Sequence, residues 1–369
     1  MTRPRVAIAH DYLTQRGGAE RVVLSLARAF PDAPIYTTFY DPDATYPEFA
    51  DHTIITSPLN KIAFFKRDPR RALAVLAQAS SALRVDADVV IASSSGWAHG
   101  FGGDGRRLIY CHAPARWLYQ TDAYLGEAGR WSAKRLAIGA LRSRLIQWDQ
   151  RAASLADRYL ANSRVVSSRI EEAYGIHADV LPPPFGVSDV GARQAVPDLA
   201  DWAETGFLLV VSRLLPYKNV DAVVQAVEGT VHNLVVVGAG PERERLGQLA
   251  SGNVRFVSGL TDAEIRWTYA HARLLIGPSY EDFGLTPLEA NSFGVPVVAL
   301  RAGGYLDTVV EGVTGSHFDL PEVGAIRNAV DAALGHPWDS GTLREHAQSF
   351  GDDRFADRIQ REVEALWRD

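Results

Sequence analysis

Short apolar runs rich in valine and isoleucine alternate along the chain with longer segments of helical periodicity. Runs that are apolar throughout are typical of strands buried on both faces, as in parallel sheets that helices cover. The pattern predicts strands at residues 6–10, 35–39, 53–56, 89–93, 108–111, 159–161, 207–212, 234–237, 254–257, 274–276, 296–299 and 315–318. It predicts helices at residues 19–30, 70–83, 133–155, 241–249, 262–270 and 286–293. This alternation indicates a doubly wound α/β architecture.

The alternation pauses in the segment LPPPFGVSDVGARQAVPDLADWAETG, residues 181–206. Three consecutive prolines neither continue a helix nor fit a central strand. We therefore expect this segment to join two Rossmann-like domains, one of residues 1–185 and one of residues 186–351. Residues 352–369 carry apolar side chains on one helical stripe: Phe355, Ile359, Val363 and Leu366. The stripe predicts an amphipathic helix that packs on another element.

Length and composition fit two domains. The chain has 369 residues, and roughly 100–200 residues per domain is usual. Hydrophobic residues make up 47% and charged residues 22%, a composition that builds cores and excludes a disordered tail. The net charge of −6 argues against a dedicated nucleic-acid binder, which would carry a basic excess.

A single cysteine, Cys111, excludes an intrachain disulfide and fits a reducing compartment. Its context, RRLIYCHAP, indicates a packed strand residue rather than a reactive thiol. The N-terminal apolar stretch is too short for a signal peptide, and no apolar run approaches the ~18 residues of a membrane span. We therefore expect a cytoplasmic protein whose association with a membrane is limited to peripheral contact at the inner face.

Two patterns that suggest other functions are weak. GFGGDG, residues 100–105, matches the glycine pattern of dinucleotide sites, which cradles a dinucleotide only where it opens a helix. Here RRLIYCH follows, and it predicts a strand. The ten histidines show no metal-ligand spacing, so structural or surface roles are the default for all except His112.

Glycines and basic residues follow three predicted strands, at the edge where parallel sheets bind ligands. Gly17 and Gly18 precede the first predicted helix, whose free N–H groups favour an anion. Arg213 and Lys218 follow the strand FLLVV, and their guanidinium fork and ammonium charge suggest a diphosphate clamp. GAG, residues 238–240, leaves the next strand and fits either a helix start or a ligand contact.

The segment YEDFGLTPLEANSFGVPVV, residues 280–298, has two glutamates on either side of a glycine turn. Glu281 lies in the loop, Gly284 makes the turn, and Glu289 lies about one turn into a helix that begins near Thr286. Carboxylates accept hydrogen bonds from hydroxyls, and helix N-terminal amides bind phosphate. Along this segment, Glu281, the helix N-terminal amides and Glu289 follow one another in the order that matches the hexose, the diphosphate and the ribose of a sugar nucleotide.

Together these segments resemble the retaining GT-B glycosyltransferases of family 4, or group 1, which includes sucrose synthase and the bacterial mannosyltransferases. The resemblance rests on GGAERV, SRLLPYKN, VGAGPERERL, VRFVSGLTDAEI, PSYEDFGLTPLEANSFGVPVVAL with its E-x7-E pair, and AGGYLDTVVEGVTG. IYCHAPARWLY is similar to the histidine segment of mannosyl- and rhamnosyl-type members. The resemblance covers nearly the whole chain. It implies the GT-B fold: two Rossmann-like domains, a cleft between them, and a last helix, residues 352–369, that crosses back to the first domain.

The resemblance implies a role for each matching residue. Arg213 and Lys218 hold the donor diphosphate, Glu281 binds hydroxyls of the transferred sugar, and Glu289 binds the ribose. His112 lies near the sugar and the acceptor, and it shares the catalytic step with Arg213, Lys218 and Glu281. The other donor contacts come mainly from backbone groups: Gly17, Gly18, Gly238, Val257, Phe283, Gly284 and Leu285.

One stretch departs from the family pattern. Asn291-Ser292-Phe293 stands where many members carry Met-Ala or Ala-Ala, and we expect it to alter packing only. The resemblance implies retention of anomeric configuration with no metal and no cofactor besides the nucleotide-sugar co-substrate. GDP-mannose is the expected donor, with UDP-linked sugars as the alternative, and a glycan is the expected acceptor. A sugar-nucleotide epimerase and a non-catalytic nucleotide-sugar-binding subunit are the rival interpretations.

One further segment concerns the acceptor. LNKIAFFKRDPRRALAVL, from Leu59 to Leu76, is strongly basic in an acidic chain and interleaves phenylalanines with its charges. It predicts either a solvated loop and helix start or a patch that contacts an anionic membrane surface. In the second case the acceptor is lipid-linked.

Overall fold

The structure, a computed structural model, describes residues 4–120 and 133–368. The chain forms two compact units. The first unit comprises Met1–Pro184 together with Asp352–Asp369, and the second comprises Phe185–Gly351. Each unit is built on a parallel β-sheet with helices packed against it. The predicted α/β class with two Rossmann-like sheets is therefore confirmed.

Within its described residues, the first unit contains a seven-stranded parallel sheet in the order β3-β2-β1-β4-β5-β6-β7. Its strands are β1 Val6–His10, β2 Ile35–Thr37, β3 Ile54–Thr56, β4 Val89–Ser94, β5 Arg106–Cys111, β6 Arg158–Ala161 and β7 Asp179–Val180. Its helices are α1 Gly18–Ala29, α2 Ala63–Arg67, α3 Leu73–Ala82, α4 Arg116–Tyr119, α5 Ala133–Ser154 and α6 Arg164–Tyr174. Successive residues of a strand point to opposite faces, so Ile8 joins one hydrophobic cluster while Ala7 and Ala9 join another. Burial of both faces explains the continuous apolar runs.

Within its described residues, the second unit contains a six-stranded parallel sheet in the order β10-β9-β8-β11-β12-β13. Its strands are β8 Phe207–Val211, β9 Leu234–Val237, β10 Val254–Val257, β11 Ala272–Gly277, β12 Val297–Leu300 and β13 Gly315–Phe318. Its helices are α7 Val220–Ala226, α8 Arg243–Leu249, α9 Asp262–His271, α10 Thr286–Ser292, α11 Tyr305–Thr308, α12 Val323–Gly335 and α13 Ser340–Gln348. One hydrophobic cluster joins its strands and helices.

The last helix, α14 Asp352–Arg368, belongs to the first unit. Its predicted apolar stripe is buried together with residues of α1: Phe355, Ile359, Val363 and Leu366. The ring of Phe355 meets Tyr110 of β5 edge to face, with 5.4 Å between centroids. Arg28 of α1 pairs with Asp352 at 2.9 Å. The chain therefore returns to complete the core of the first unit, as predicted.

The strand order of each sheet reverses at one point. In the first unit the chain runs outward from β1 to β3 and then returns to β4, which lies beside β1. In the second unit it runs outward from β8 to β10 and returns to β11, which lies beside β8. Parallel α/β sheets bind ligands at such a switch point, outside the carboxyl ends of the strands. The loops after β1, β4, β8 and β11 are therefore the expected ligand-binding segments.

The sequence pattern misses several elements, among them α6, α7, α12, α13 and the two-residue β7. Two of these helices had local signals, because Ser163 caps α6 and Asp339 caps α13 through side-chain acceptance of a backbone N–H. The predicted helix at residues 70–83 is wrong in its first turn. Pro69–Ala72 forms a 3₁₀ turn there, and the side chain of Asp68 accepts from Arg70 N–H.

The segment GFGGDG leads directly into β5, so the predicted strand after it is confirmed. Among the described helices, none is long and apolar enough to cross a membrane.

Candidate functional site

Two loops meet at the switch point of the second sheet. Residues 212–219 follow β8, and residues 278–285 follow the neighbouring β11. Asn219 has a left-handed backbone with φ of +53°, and its Nδ2 donates to the carbonyl of Pro278 at 3.0 Å. This hydrogen bond ties the loop of Arg213 to the loop of Glu281.

Lys218 and Glu281 form an ion pair between these loops. Lys218 is only 6% exposed, so its ammonium is largely removed from water and needs a partner. Ser279 Oγ donates to the same carboxylate oxygen, Glu281 Oε1, at 2.6 Å. The carboxylate itself is only partly buried, which leaves it accessible to a ligand. The sequence analysis assigns Lys218 and Glu281 to different parts of a donor, and the structure brings them into direct contact.

Arg213 has different surroundings from Lys218. Its side chain is exposed, and no hydrogen bond or ion pair to another described residue holds it. The exposed ring of Tyr217 lies 5.2 Å from the Lys218 ammonium. Because Lys218 and Glu281 neutralise each other, the guanidinium of Arg213 is the remaining positive charge of the loop after β8.

Gly284 forms the turn between the two glutamates. Its φ of +85° lies in the left-handed region that favours glycine, and a Cβ there would come within 2.6 Å of the Tyr305 ring. Burial of Tyr305 raises the pKa of its phenol, so the ring stays neutral as it packs under the turn. The N–H of Gly304 donates to the carbonyl of Glu281 at 2.8 Å. The AGGYLD segment therefore supports the turn, a role that its sequence alone did not indicate.

Glu289 is buried in α10. Its Oε2 accepts a hydrogen bond from the Tyr269 hydroxyl at 2.8 Å, and the Tyr269 ring stacks on Phe293. Tyr269, which the sequence analysis does not single out, therefore orients this carboxylate. Asn291, in the stretch that departs from the family pattern, donates from Nδ2 to two backbone carbonyls at 3.0 and 3.2 Å. These bonds give Asn291 a role in packing.

Backbone groups make up the edge next to β9 and β10. The N–H of Gly238 donates to the carbonyl of Val257 at 2.9 Å. The N–H of Leu214 donates to the carbonyl of Ala239 at 2.9 Å. This hydrogen bond joins the loop after β9 to the loop of Arg213. All predicted residues of the second unit lie at or after the carboxyl ends of β8 to β11: Arg213, Lys218, Gly238, Val257, Glu281, Phe283, Gly284, Leu285 and Glu289.

The first unit carries the other predicted residues at the ends of β1 and β5. Gly17 is the N-cap of α1, and Gly18 is its first residue. His112 directly follows β5, where its N–H donates to the carbonyl of Ser94 at 2.9 Å. Its ring nitrogen Nε2 lies 2.7 Å from Ser93 Oγ. Both the backbone and the ring of His112 are therefore fixed from β4.

Asp11 joins the loops on either side of this switch point. Its carboxylate accepts from the backbone N–H groups of Ser95, Trp97 and Ala98 at 2.7, 3.1 and 2.6 Å. These residues follow β4, whereas Asp11 follows β1. Asp11 is not among the residues predicted from the sequence, although a carboxylate directly after the first strand is a visible signal.

His112 is held neutral in the first unit. Burial, together with the charge of nearby His10, lowers the pKa of His112 to about 3. A neutral imidazole has one nitrogen that donates and one that accepts. Cys111 beside it is buried in β5, and burial raises the pKa of its thiol. The interpretation of Cys111 as a packed residue agrees with these surroundings.

Two family models match this chain. The model described as Glycosyltransferase Family 4 matches residues 16–186, and the model described as Glycosyl transferases group 1 matches residues 200–351. The chain belongs to the family 4 glycosyltransferases. The two matched regions contain every site residue predicted from the sequence, whereas Asp11 lies before the first of them.

Relatives of this glycosyltransferase include two mannosyltransferases. It is 29% identical over 248 residues to the GDP-mannose-dependent alpha-(1-6)-phosphatidylinositol monomannoside mannosyltransferase of Mycolicibacterium smegmatis. That alignment covers 58% of this chain and 65% of the relative, so it spans less than two thirds of the relative's length. Identity to the Alpha-1,3/1,6-mannosyltransferase ALG2 of Mus musculus is 25% over 406 residues, covering 95% of this chain and 94% of that protein.

The fold of this glycosyltransferase matches the GT-B fold of solved structures. The crystal structure of Anabaena HepE in complex with UDP has a TM-score of 0.69 at 17% identity. The match covers 97% of this chain and 100% of HepE. The predicted GT-B fold is therefore confirmed.

The depressed pKa of His112 predicts a loss of stability in acid. The unfolded chain takes up a proton on this ring near pH 6.5, whereas the folded ring does so only near pH 3. The stability of the wild type relative to His112→Gln should therefore fall by about 1 kcal/mol as the pH is lowered from about 6 to about 5. Urea denaturation of both proteins at several pH values measures this difference, and a pH-independent difference would contradict a neutral ring.

Proposed function

We propose that this glycosyltransferase transfers mannose from GDP-mannose to a glycan acceptor, with retention of anomeric configuration and without a metal ion. The observation that carries the proposal is the Lys218–Glu281 ion pair beside the exposed Arg213 at the switch point of the second sheet. A carboxylate that can accept from sugar hydroxyls contacts the ammonium of Lys218, and Arg213 on the same loop as Lys218 is a second cation that can bind a diphosphate. In a sugar nucleotide the sugar is bonded directly to the diphosphate.

Catalysis then depends on stabilising the charge of the departing diphosphate. Arg213 supplies a planar fork of donors, and Lys218 supplies an ammonium that Glu281 already orients. In the measured oxyanion case, one preorganised donor is worth about 2.7–4 kcal/mol of the barrier. The backbone amides of Phe283 and Leu285, on either side of the turn at Gly284, would act as further donors.

The carboxylate of Glu281 is better suited to binding than to nucleophilic attack. Its Oε1 accepts from both Lys218 and Ser279, and these bonds withdraw electron density from the oxygen. The acceptor hydroxyl would attack from the face that the diphosphate leaves, and a diphosphate oxygen would take its proton. His112 would contact the sugar or the acceptor from the first unit, and Glu289 would hold the ribose hydroxyls.

GDP-mannose is the proposed donor because the two relatives above are mannosyltransferases and one of them is named as GDP-mannose-dependent. UDP-linked sugars are the second candidate, supported by the UDP complex of HepE. The base would lie against backbone near Gly238 and Val257, where side chains give little discrimination.

Thermal shift with a panel of nucleotides tests the donor. GDP and GDP-mannose at about 100 times their Kd should stabilise the protein by about 2.7 kcal/mol, and UDP should do less at the same concentration. Transfer should persist in EDTA, because the proposed stabilisation of the diphosphate uses Arg213 and Lys218. Stronger stabilisation by UDP would favour the second donor, and strict dependence on Mg²⁺ or Mn²⁺ would contradict the metal-free mechanism.

Two isosteric variants test whether the glutamates bind opposite ends of the donor. Glu281→Gln should lower kcat by about 100-fold without weakening GDP binding, because Glu281 is assigned to the sugar and the ammonium of Lys218 stays available to the diphosphate. Glu289→Gln should weaken GDP binding by about tenfold, since a ribose hydroxyl loses its charged acceptor. Calorimetry with GDP and steady-state kinetics separate the two effects. Equal losses of GDP affinity would show that the assignment is wrong.

We further propose that the acceptor is lipid-linked and that residues 59–76 contact an anionic membrane surface. Ile62 and Phe64 are 43% and 58% exposed, whereas Phe65 packs inward. Asp68 pairs with Arg70 and Arg71 at 2.9 and 3.6 Å.

The other basic side chains of this segment support a surface role. Lys61, Lys66 and Arg67 form no ion pair with another described residue. Their positive charges, beside exposed Ile62 and Phe64, suit the headgroup region of an anionic bilayer.

Co-sedimentation with anionic vesicles tests this surface. Changing Lys66 and Arg67 to serine should weaken binding by about 30-fold at low salt, because each basic residue near such a surface contributes about 1 kcal/mol. The matched control changes Arg84 and Arg106, which are exposed near the amino end of β5, to serine. Equal binding of both variants, or no binding by the wild type, would leave residues 59–76 as an ordinary solvated surface.

A further inference from the structure

A row of buried polar side chains connects α1 to His112 across the switch point of the first sheet. Glu20 lies in the first turn of α1, His10 ends β1, and Ser93 lies near the end of β4. Each of these three residues is at most 2% exposed. Groups so far from water need hydrogen-bond partners within the protein, and neither the family resemblance nor the proposed function gives them a role.

The distances join these residues in one line. His10 Nε2 lies 3.9 Å from Glu20 Oε1. On the other side of the ring, His10 Nδ1 lies 2.9 Å from the carbonyl of Ser93 and 3.1 Å from Ser93 Oγ. Ser93 Oγ in turn lies 2.7 Å from His112 Nε2.

The chemistry of each acceptor fixes the protons on His10. A carbonyl only accepts, so the Nδ1 that faces the carbonyl of Ser93 must carry a proton. Glu20 Oε1, at 3.9 Å from Nε2, is too far for a direct hydrogen bond and acts on the ring through its negative charge. Although burial opposes the charged ring, the nearby carboxylate of Glu20 raises the pKa of His10. The carboxylate of Glu20 therefore favours the imidazolium form of His10.

The hydroxyl of Ser93 then has one favourable orientation. It accepts from His10 Nδ1–H, and its own hydrogen requires an acceptor because the side chain is fully buried. Among the described residues, His112 Nε2 is the acceptor at hydrogen-bond distance. If His112 Nε2 donated instead, the hydroxyl hydrogen would have no partner. Satisfying it requires His112 Nε2 to accept, which leaves the proton of the neutral ring on Nδ1.

We propose that Glu20, His10 and Ser93 are positioning residues that hold His112 as the Nδ1–H tautomer. His112 is partly exposed, and its Nδ1–H is then the group offered to a ligand. The ring donates a hydrogen bond to an oxygen of the sugar or the acceptor, and it does not act as the base that removes the acceptor proton. Only the identity of that oxygen rests on the proposed function.

Histidine NMR of the ligand-free protein tests the tautomer independently of any transfer reaction. In protein labelled with nitrogen-15 histidine, the shifts of Nδ1 and Nε2 report which nitrogen carries a proton. The His112 signals are identified by their absence in His112→Gln. At neutral pH we expect His112 to be protonated on Nδ1 alone and His10 on both nitrogens. A wild-type spectrum with His112 protonated on Nε2 overturns the proposal.

Two serine variants provide a matched comparison. Ser93 and Ser80 are both fully buried in the first unit, but Ser80 Oγ has no hydrogen-bond partner among the described residues. Ser93→Ala should move His112 toward the Nε2–H tautomer and lower kcat about tenfold, with KM for the donor unchanged. Ser80→Ala should change neither. An unaltered His112 tautomer in Ser93→Ala overturns the proposal.

Glu20→Gln tests the other end of the row. It keeps the shape of Glu20 but removes the charge that holds the second proton on His10, so His10 should become neutral at pH 7 in the same spectra. A His10 that stays doubly protonated in this variant overturns the role of Glu20. If the tautomer changes in Ser93→Ala while kcat does not, the row of hydrogen bonds is supported, and the proposed contact of His112 with substrate is wrong.

Discussion

Burial of both faces of a parallel sheet is the constraint on which the rest of this structure depends. Strands covered on both sides have little place for charged groups along their length, so polar chemistry collects where the strands end. At a switch point, two neighbouring strands are far apart in sequence. Lys218 and Glu281, 63 positions apart, meet in this way, and so do His10 and Ser93, 83 positions apart. The sheet topology therefore supplies contacts that no local segment contains.

The same constraint explains which elements the sequence predicts well. The strands β1, β9, β10 and β13 have the predicted bounds, because full burial requires an uninterrupted apolar run that ends where the strand ends. Surface elements lack this requirement. In α13 only Leu343 and Ala347 are buried, which leaves too few apolar positions to show a helical period. The two exposed residues of β7 show no pattern at all. Prediction fails where burial is slight.

The sequence predicts which segments hold the residues of the candidate site, but it does not predict which side chains contact one another. Glycines, basic residues and carboxylates after strands locate Arg213, Lys218, Glu281 and Glu289, because such residues are excluded from the buried strands and stand out where each strand ends. Their partners follow from packing between segments, so the sequence does not reveal that Tyr269 holds Glu289. The contact of Lys218 with Glu281 is nevertheless consistent with their separate assignments. The transferred sugar is bonded directly to the diphosphate, so the groups that bind the two must be neighbours.

In the first unit, His10 acts on two neighbours: it faces the carboxylate of Glu20 beside the Gly17–Gly18 loop, and it contacts Ser93. The N-terminus of α1 favours an anion, yet the carboxylate of Glu20 lies so near that a Cβ on Gly17 would come within 2.6 Å of its Oε2. An unpaired Glu20 would repel any anion that the N-terminus of this helix attracts. The imidazolium of His10 cancels that charge and, through its other nitrogen, orients Ser93 toward His112. A neutral His10 would therefore weaken both functions together, which couples the charge of the loop at α1 to the hydrogen-bonding state of His112.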